Sequence, residues 1–226
     1  MTQTPHPVYD LRSALALLRK LPGQLLTTDI EVDPMAELSG VYRHVGAGGT
    51  VERPTKEGPA MLFQNIKGHP DAQVVIGLLA SRTRVGHLLG CDPKRLGFLL
   101  KDSVTHPIPP VVIPNADAKC QEVVHLASDP DFDIRTLLPA PTNTPEDAGP
   151  YITLGMCYAS NPNTGESDVT IHRMCLQSRD EISIFLQPGA RHIGYFRELA
   201  EAKGEPLPIS ISIGVDPAIE IASCFE

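Results

Sequence analysis

Hydrophobic positions in the first hundred residues follow a helical period in some segments and form short continuous runs in others. Leu11, Leu15 and Leu18 fall on one stripe of a helix that has Asp10 as its N-cap and Pro22-Gly23 as its stop. The same patterns predict further strands and helices: strands over 24–32, 60–66 and the start of 71–90, and helices over 33–45, the rest of 71–90 and 92–104. Helices that alternate with single apolar strands indicate a small α/β domain.

Proline clusters at 107–114 and 139–150 interrupt this pattern, and the sequence between and beyond them is rich in strand signals. The predicted strands cover 120–127, 151–160, 168–178, 182–187 and 207–215, with a turn at 161–165. One amphipathic helix over 192–204 ends at Gly204, and a short helical segment lies within 211–226. We therefore predict an α+β fold, with an α/β domain over 1–115 and a mostly antiparallel sheet or barrel over 116–226.

Composition narrows the class of protein. With 226 residues and 42% hydrophobic content, the chain can bury a core, and its net charge of −8 argues against a nucleic-acid partner. No run reaches the ~18–20 apolar residues of a membrane span, and the first residues lack the layout of a signal peptide. The five cysteines never form a CxxC pair and are predicted to be thiols of a reducing compartment, which favours the cytoplasm.

Candidate chemistry is concentrated in the segment 168–173. Side chains of a strand alternate between faces, so Asp168, Thr170 and His172 are expected on one face and Arg173 on the other. A guanidinium donates two parallel hydrogen bonds and is therefore suited to a carboxylate ligand. The simpler alternative is a solvated strand face with one salt-bridging arginine.

Two further positions carry weaker signals. Arg191 and His192 stand at the start of a helix, where free N–H groups favour a phosphate or a metal that holds one, although a helix cap is the simpler interpretation. Cys224 has no assignable base nearby and is predicted to be a buried thiol rather than a nucleophile. The chain stops directly after an apolar stretch, which we interpret as truncation.

Several motifs together resemble the UbiD-like family of aromatic-acid decarboxylases, which use prenylated FMN. They occur in the family order and are GPAMLFQNIKG (58–68), CQEVVHL followed by DFDIRTLLPAPTNTPEDAGPYIT (131–153), DVTIHRMCLQ (168–177), QPGARHIG (187–194) and IGVDPAIEIASCFE (213–226). The amino-acid sequence of residues 171–181 and 210–226 is most similar to the branch of the family that acts on hydroxybenzoates such as gallate, protocatechuate or 4-hydroxybenzoate.

The resemblance implies a particular architecture. Family members have an N-terminal α/β domain, a central split barrel related to flavin reductases and a C-terminal α/β domain that drives oligomerisation. They are about twice as long as this chain, so the resemblance implies that residues 116–226 are only the first part of the split barrel. It also implies a homo-oligomer in the full-length form.

The resemblance also assigns roles to individual residues. It implies metal ligands at Asp168 and His192, for manganese or another divalent metal that holds the flavin phosphate beside a potassium ion. Asp168 departs from the more common asparagine and adds negative charge near a phosphate, which is tolerable only with the cation present. Arg173 would bind the substrate carboxylate as the catalytic residue, and the cofactor-lining residues would be Thr170, Ile171, His172, Arg173, Arg191, His192, Ser223, Cys224 and Phe225.

The implied activity is a non-oxidative, reversible decarboxylation of a small hydroxyaromatic carboxylate by a carboxy-lyase. Loss of CO₂ leaves an electron pair in the ring plane, so an electron sink is needed, and a flavin prenyltransferase would supply the modified flavin. The family's proton donor and third metal ligand are glutamates beyond residue 226, so residues 1–226 alone are expected to be inactive. Two alternatives stay open: a non-catalytic flavin- or nucleotide-binding module, and an assembly domain without a ligand.

Overall fold

A computed structural model describes residues 7–47, 57–187, 189 and 192–225, and it has an α+β fold with two separate sheets. The elements of the first half are α1 (Leu11–Leu18), β1 (Leu25–Thr28), α2 (Glu37–Ala47), β2 (Ala60–Phe63), β3 (Val74–Ile76), α3 (Arg82–Leu88), a 3-10 turn (Pro93–Arg95) and α4 (Leu96–Thr105). Two more 3-10 turns follow (Asn115–Asp117 and Lys119–Gln121). The second half contains α5 (Ile134–Leu137), β4 (Tyr151–Ser160), β5 (Ser167–Leu176), β6 (Ile182–Ile184), α6 (Ile193–Ala202), β7 (Ser210–Ser212) and α7 (Pro217–Ala222). The predicted α+β class is confirmed. No helix in the described part of the chain is long and apolar enough to cross a membrane.

The first sheet has the order β1-β2-β3, with β1 parallel and β3 antiparallel to β2. Helix α1 begins where the sequence predicts, because the Asp10 carboxylate accepts a hydrogen bond from Ser13 N at 2.7 Å and Ser13 Oγ accepts one from Asp10 N. All four residues of β2 are buried. This matches a strand that is covered on both faces, as its continuous apolar run predicts.

A buried arginine binds the backbone at one end of the three strands of the first sheet. Arg84 of α3 is 1% exposed, and its guanidinium donates hydrogen bonds of 2.9–3.2 Å to four backbone carbonyls: Gln24, Gly58, Gly77 and Leu78. These carbonyls precede β1, precede β2 and follow β3. The first residues of the parallel strands β1 and β2 and the last residues of the antiparallel strand β3 lie at the same end of the sheet. A single planar guanidinium therefore reaches all four carbonyls.

The second sheet is antiparallel throughout, in the order β6-β5-β4-β7. The long β4–β5 hairpin turns where the sequence predicts. Asn161 Oδ1 accepts hydrogen bonds from the backbone N–H groups of Asn163 and Thr164, and Gly165 adopts a φ of +77°. Helix α6 packs Ile193 and Phe196 against Ile152, Met174 and Leu176 of the hairpin, which forms the core of this half. Gly204, with a φ of +72°, follows the end of α6 as predicted.

Two predictions need correction: one predicted helix begins later in the chain, and one predicted strand is absent. The helix predicted from residue 33 begins only at Glu37, because Ala36 has a φ of +65° and the preceding backbone pairs with Thr142 through two hydrogen bonds. The strand predicted over 120–127 is absent: this segment contains a 3-10 turn at its start and irregular backbone after it. Val123, Val124 and Leu126 remain exposed, because no strand in the described part of the chain pairs with them.

Candidate functional site

Strand β5 carries most of the residues that the sequence analysis singled out. The Thr170 hydroxyl lies 2.8 Å from Nε2 of His172, so these two side chains share one face of the strand as predicted. Gly155 of β4 faces His172, and the register between the two strands shifts between Ile152 and Gly155. Such an irregularity re-aims side chains locally and is common beside functional sites.

Asp168 and His192 come together although 24 residues separate them in sequence. Oδ2 of Asp168 is in direct contact with Nδ1 of His192, and each side chain is a little over a quarter exposed. The other carboxylate oxygen of Asp168 accepts a hydrogen bond from the backbone N–H of Val169 at 2.8 Å. The hairpin supplies one partner and the residue before α6 supplies the other, so the packing of α6 on the sheet creates the pair.

The backbone of His192 is strained. Its φ of +60° and ψ of −132° lie in a region that residues with a side chain rarely adopt, and its carbonyl accepts the first hydrogen bond of α6 from Phe196 N at 3.0 Å. Strained backbone of this kind is concentrated at functional sites. The conformation aims the imidazole at Asp168.

One carboxylate and one imidazole make a donor set that suits a divalent cation such as Mn²⁺ or Zn²⁺. Within residues 7–47, 57–187, 189 and 192–225, no third histidine, cysteine, aspartate or glutamate completes a cluster with them. The pair is partly open to solvent, so a cation and its remaining ligands could reach it. The residues present therefore fit part of a metal site.

The environment of His172 differs from that of His192. Burial lowers the pKa of His172, which keeps its imidazole neutral at neutral pH. A neutral ring with Thr170 beside it can exchange a hydrogen bond with a flat polar ligand without adding charge. Ile171, between them in sequence, is half-buried.

Arg173 is exposed, and no hydrogen bond or ion pair engages its guanidinium within the described ranges. Its charge nevertheless reaches Tyr151 of β4. Burial raises the pKa of the Tyr151 phenol, the neighbouring Cys175 adds to that rise, and the positive charge of Arg173 opposes it. An unpaired guanidinium at this position is available to an anionic ligand.

The second predicted cofactor-lining stretch, Ser223 to Phe225, follows the end of α7. Ser223 Oγ donates a hydrogen bond of 2.8 Å to the carbonyl of Glu220, and Phe225 is 37% exposed. In the part of the chain that is described, no hydrogen bond or ion pair joins this stretch to the candidate residues of β5 or to His192. Arg191, predicted beside His192, lies outside the described residues.

The prediction that Cys224 is buried is wrong. Its side chain is exposed, with Sγ 3.8 Å from the Glu220 carbonyl. Helix α7 ends at Ala222 and buries Pro217 and Glu220 instead, so Cys224 falls past the face that packs inward.

Sequence reasoning missed Glu220. The residue is 3% exposed, and burial together with the nearby Asp216 raises the pKa of its carboxyl group to about 7. It lines a cavity of about 430 Å³ that none of the candidate residues of β5 lines. The spacing of three between Pro217 and Glu220 was the available signal, since it places the acid on the buried stripe of α7.

Two family sequence models match the chain. The model described as the 3-octaprenyl-4-hydroxybenzoate carboxy-lyase N-terminal domain (UbiD_N) matches residues 15–103, and the Rift-related domain of the same carboxy-lyase (UbiD) matches residues 111–226. The second match alone covers half of the chain.

Individual relatives agree with these matches. Gallate decarboxylase of Lactiplantibacillus plantarum is 53% identical over 218 residues, which are 96% of this chain and 44% of the relative. The crystal structure of 3,4-dihydroxybenzoic acid decarboxylase from Klebsiella pneumoniae superposes with a TM-score of 0.91 at 57% identity, covering 97% of this chain and 45% of that one. A UbiD-class enzyme from Pelotomaculum thermopropionicum, solved with prFMN, gives a TM-score of 0.83 at 30% identity, covering 95% and 46%. The chain thus spans a little under half the length of the relatives it matches.

Proposed function

The chain belongs to the UbiD family, and on this basis we propose that it provides the flavin- and metal-binding part of a carboxy-lyase. The proposed reaction is the non-oxidative, reversible decarboxylation of a small hydroxyaromatic acid. Gallate and 3,4-dihydroxybenzoate are the favoured substrates, because relatives named for them are 53% and 57% identical to this chain. The observation that carries the proposal is the Asp168–His192 pair beside the Thr170–Arg173 segment.

Asp168 and His192 are the proposed ligands of a divalent metal, for which we favour manganese with potassium nearby. The carboxylate brings negative charge and the imidazole a neutral nitrogen, which together suit a cation that also holds a phosphate. The hydrogen bond from Val169 N fixes one oxygen of Asp168, so the other oxygen faces His192. Packing of α6 thus preorganises half of the metal site.

Prenylated FMN is the proposed cofactor, lined by Thr170, Ile171, His172, Arg173, Arg191, His192, Ser223, Cys224 and Phe225. When bound, it supplies the electron sink that decarboxylation of an aryl acid requires. The contribution of this chain is to bind and orient. Thr170 and neutral His172 offer hydrogen bonds on one face of β5, while half-buried Ile171 offers an apolar contact.

Arg173 is the proposed partner of the substrate carboxylate. Its guanidinium has no competing hydrogen bond or ion pair in the described ranges, so it can meet a carboxylate with two parallel N–H donors. This geometry fixes the plane of the carboxyl group relative to the strand. Orientation of this kind is a large part of what an enzyme contributes to a one-substrate reaction.

Several assignments follow from the same family relationship. We expect a flavin prenyltransferase to supply the cofactor, a homo-oligomer to be the working form of the full-length protein, and the cytoplasm to be its location. We also propose that residues 1–115 and 116–226 form two separate domains.

The test is the purified holoenzyme after co-expression with a flavin prenyltransferase. We expect a flavin absorbance band, the mass of prenylated FMN, bound manganese, and CO₂ release from gallate or 3,4-dihydroxybenzoate that Arg173→Ala abolishes. Flavin-loaded protein that releases CO₂ from neither acid would contradict the proposed substrate class. Residues 1–226 alone should release no CO₂, because the family resemblance assigns the proton donor and the third metal ligand to positions outside them.

A further inference from the structure

A cavity of about 430 Å³ lies between the two sheets, away from the Asp168–His192 pair. Its walls include Val74 and Ile76 of β3, Tyr151 and Thr153 of β4, Gly214 and Glu220. This volume is within the ~300–1,000 Å³ of ordinary ligand pockets. An apolar cavity of only ~150 Å³ is enough to bind benzene, so a single substituted ring has ample room here.

Glu220 is the polar feature of this cavity that lacks a partner. Its Oε2 atom is buried and makes no hydrogen bond to any part of the protein that is described. A buried carboxyl group without a hydrogen-bond partner is costly, and such groups are rare in folded proteins. Burial, together with the nearby Asp216, raises the pKa of Glu220 to about 7, so the carboxyl group is about half protonated at pH 7 and mostly protonated at pH 6.

These properties restrict the chemistry of an occupant. It must bring apolar surface to the aliphatic walls and a polar group that donates a hydrogen bond to the carbonyl oxygen of the Glu220 carboxyl group. A negative charge is disfavoured, because burying an anion costs far more than burying a neutral hydroxyl and the ionised fraction of Glu220 would repel it. A cation is disfavoured as well, because moving an ion out of water costs far more than moving a neutral hydroxyl.

We propose that this cavity binds a small uncharged hydroxyarene whose hydroxyl group donates a hydrogen bond to Glu220. A ring fills the apolar volume, and of two adjacent hydroxyls one can donate to the carbonyl oxygen of the protonated acid while the other accepts from its O–H group. The choice of a hydroxyarene among neutral donors rests on the proposed function, because loss of CO₂ from a hydroxybenzoate yields a molecule of this class. Asp168, His192 and Arg173 do not line the cavity, although the charge of Arg173 reaches its wall at Tyr151.

The test uses catechol as the probe and 1,2-dimethoxybenzene as its matched control. We titrate the full chain, without flavin or metal, in a calorimeter at pH 6. Catechol should bind, and 1,2-dimethoxybenzene should bind at least about tenfold more weakly. The control keeps the ring and its substitution pattern but has no donor. Equal binding of the two compounds, absence of catechol binding, or preferential binding of benzylamine would each overturn the proposal.

Variants at Glu220 test whether this residue makes the hydrogen bond to catechol. Glu220→Leu should weaken catechol binding about tenfold or more, as expected when a hydrogen bond to a buried group is lost. Glu220→Gln keeps a neutral acceptor of the same shape and should change affinity by about threefold or less, while exposed Glu205→Gln should change nothing. Unchanged affinity in a folded Glu220→Leu protein would overturn the assignment.

The titration also separates this inference from the proposed function. Catechol binding can fail in an enzyme that decarboxylates, and it can persist in a protein that releases no CO₂. Because the readout needs neither cofactor nor turnover, each result is interpretable by itself.

Discussion

The Thr170 hydroxyl lies 2.8 Å from Nε2 of His172, while Arg173, the next residue, belongs to the opposite face of β5. Asp168 falls on the Thr170 face and contacts His192. The strand therefore separates the proposed metal-binding side chains from the proposed substrate-binding guanidinium. Substitutions on the two faces should have different consequences.

Asp168→Ala and His192→Ala should each lose bound manganese and flavin together, because each removes half of the donor pair. Arg173→Ala should keep both groups and lose only turnover. Metal analysis and flavin absorbance of the purified holoenzyme measure this, with exposed Asp180→Ala as the control. Loss of flavin in Arg173→Ala with retention in the other two would invert the assignment of faces.

Arg173→Lys keeps a positive charge but loses the forked donor geometry. We expect a higher KM and lower kcat/KM for the hydroxybenzoate, with flavin content unchanged. Arg173→Ala should lose about 3 kcal/mol or more of transition-state stabilisation, as expected for a charge-assisted hydrogen-bonded pair. Steady-state kinetics on flavin-matched samples give these values, and a lysine variant with unchanged kcat/KM would exclude bidentate binding.

His192→Gly and His192→Ala should differ in stability. Glycine relieves the strain of a φ of +60°, whereas alanine keeps it. The free energy of unfolding of the glycine variant should therefore be about 1 kcal/mol higher than that of the alanine variant. Urea denaturation with a chelator present compares the two. Ala36→Gly, at a φ of +65° far from the metal pair in sequence, should show a similar gain over wild type and serves as the control.

Glu220 should make the free energy of unfolding depend on pH. In the unfolded chain the group ionises near pH 4.5, but in the fold only near pH 7. Between these values the native state holds the extra proton, so stability falls as pH rises from about 4.5 to 7, by on the order of 3 kcal/mol. Urea denaturation at several pH values should show this fall, and Glu220→Gln should remove it. An identical pH profile in the variant would contradict the altered pKa.

Arg84→Met should destabilise the fold by about 3 kcal/mol or more, because four backbone carbonyls each lose a hydrogen bond at once and those of Gly58 and Leu78 keep no other protein donor in the described ranges. Arg84→Lys should recover little of this, since an ammonium cannot reproduce the planar fork. Exposed Arg82→Met is the matched control and should change stability by about 0.5 kcal/mol or less. Chemical denaturation followed by circular dichroism measures all three.

Local signals in the sequence were sufficient where the determining contacts are themselves local. The Asp10 cap depends on Ser13, three residues away, and the β4–β5 turn depends on Asn161 and Gly165. The face shared by Thr170 and His172 follows from strand alternation alone. Pairing of Asp168 with His192 came instead from the family resemblance, since spacing alone could not select one of several acids.

The errors share a physical cause, which is that a distant segment decided the local conformation. Thr142 pairs with the backbone before α2 and delays the start of that helix to Glu37. Val123 and its neighbours include the apolar, β-branched residues typical of a strand but have no neighbouring strand to pair with in the described ranges. The spacing of Pro217 and Glu220 indicates a shared face of α7, but no local pattern reveals that this face meets β3 and β4 around one cavity.

Arg84 comes later in the chain than all three strands whose ends it holds. As the polypeptide leaves the ribosome, the carbonyls of Gly58 and Leu78 can be hydrated but cannot meet Arg84, their donor in the fold, until residue 84 has emerged. Gln24 and Gly77 can accept earlier hydrogen bonds from Ala60 N and Ala80 N, but they also lack their contact with Arg84 until then. The first sheet is therefore expected to assemble only after α3 has been synthesised, rather than strand by strand. A nascent chain arrested before α3 clears the exit tunnel should expose this edge to proteases, and one arrested later should protect it.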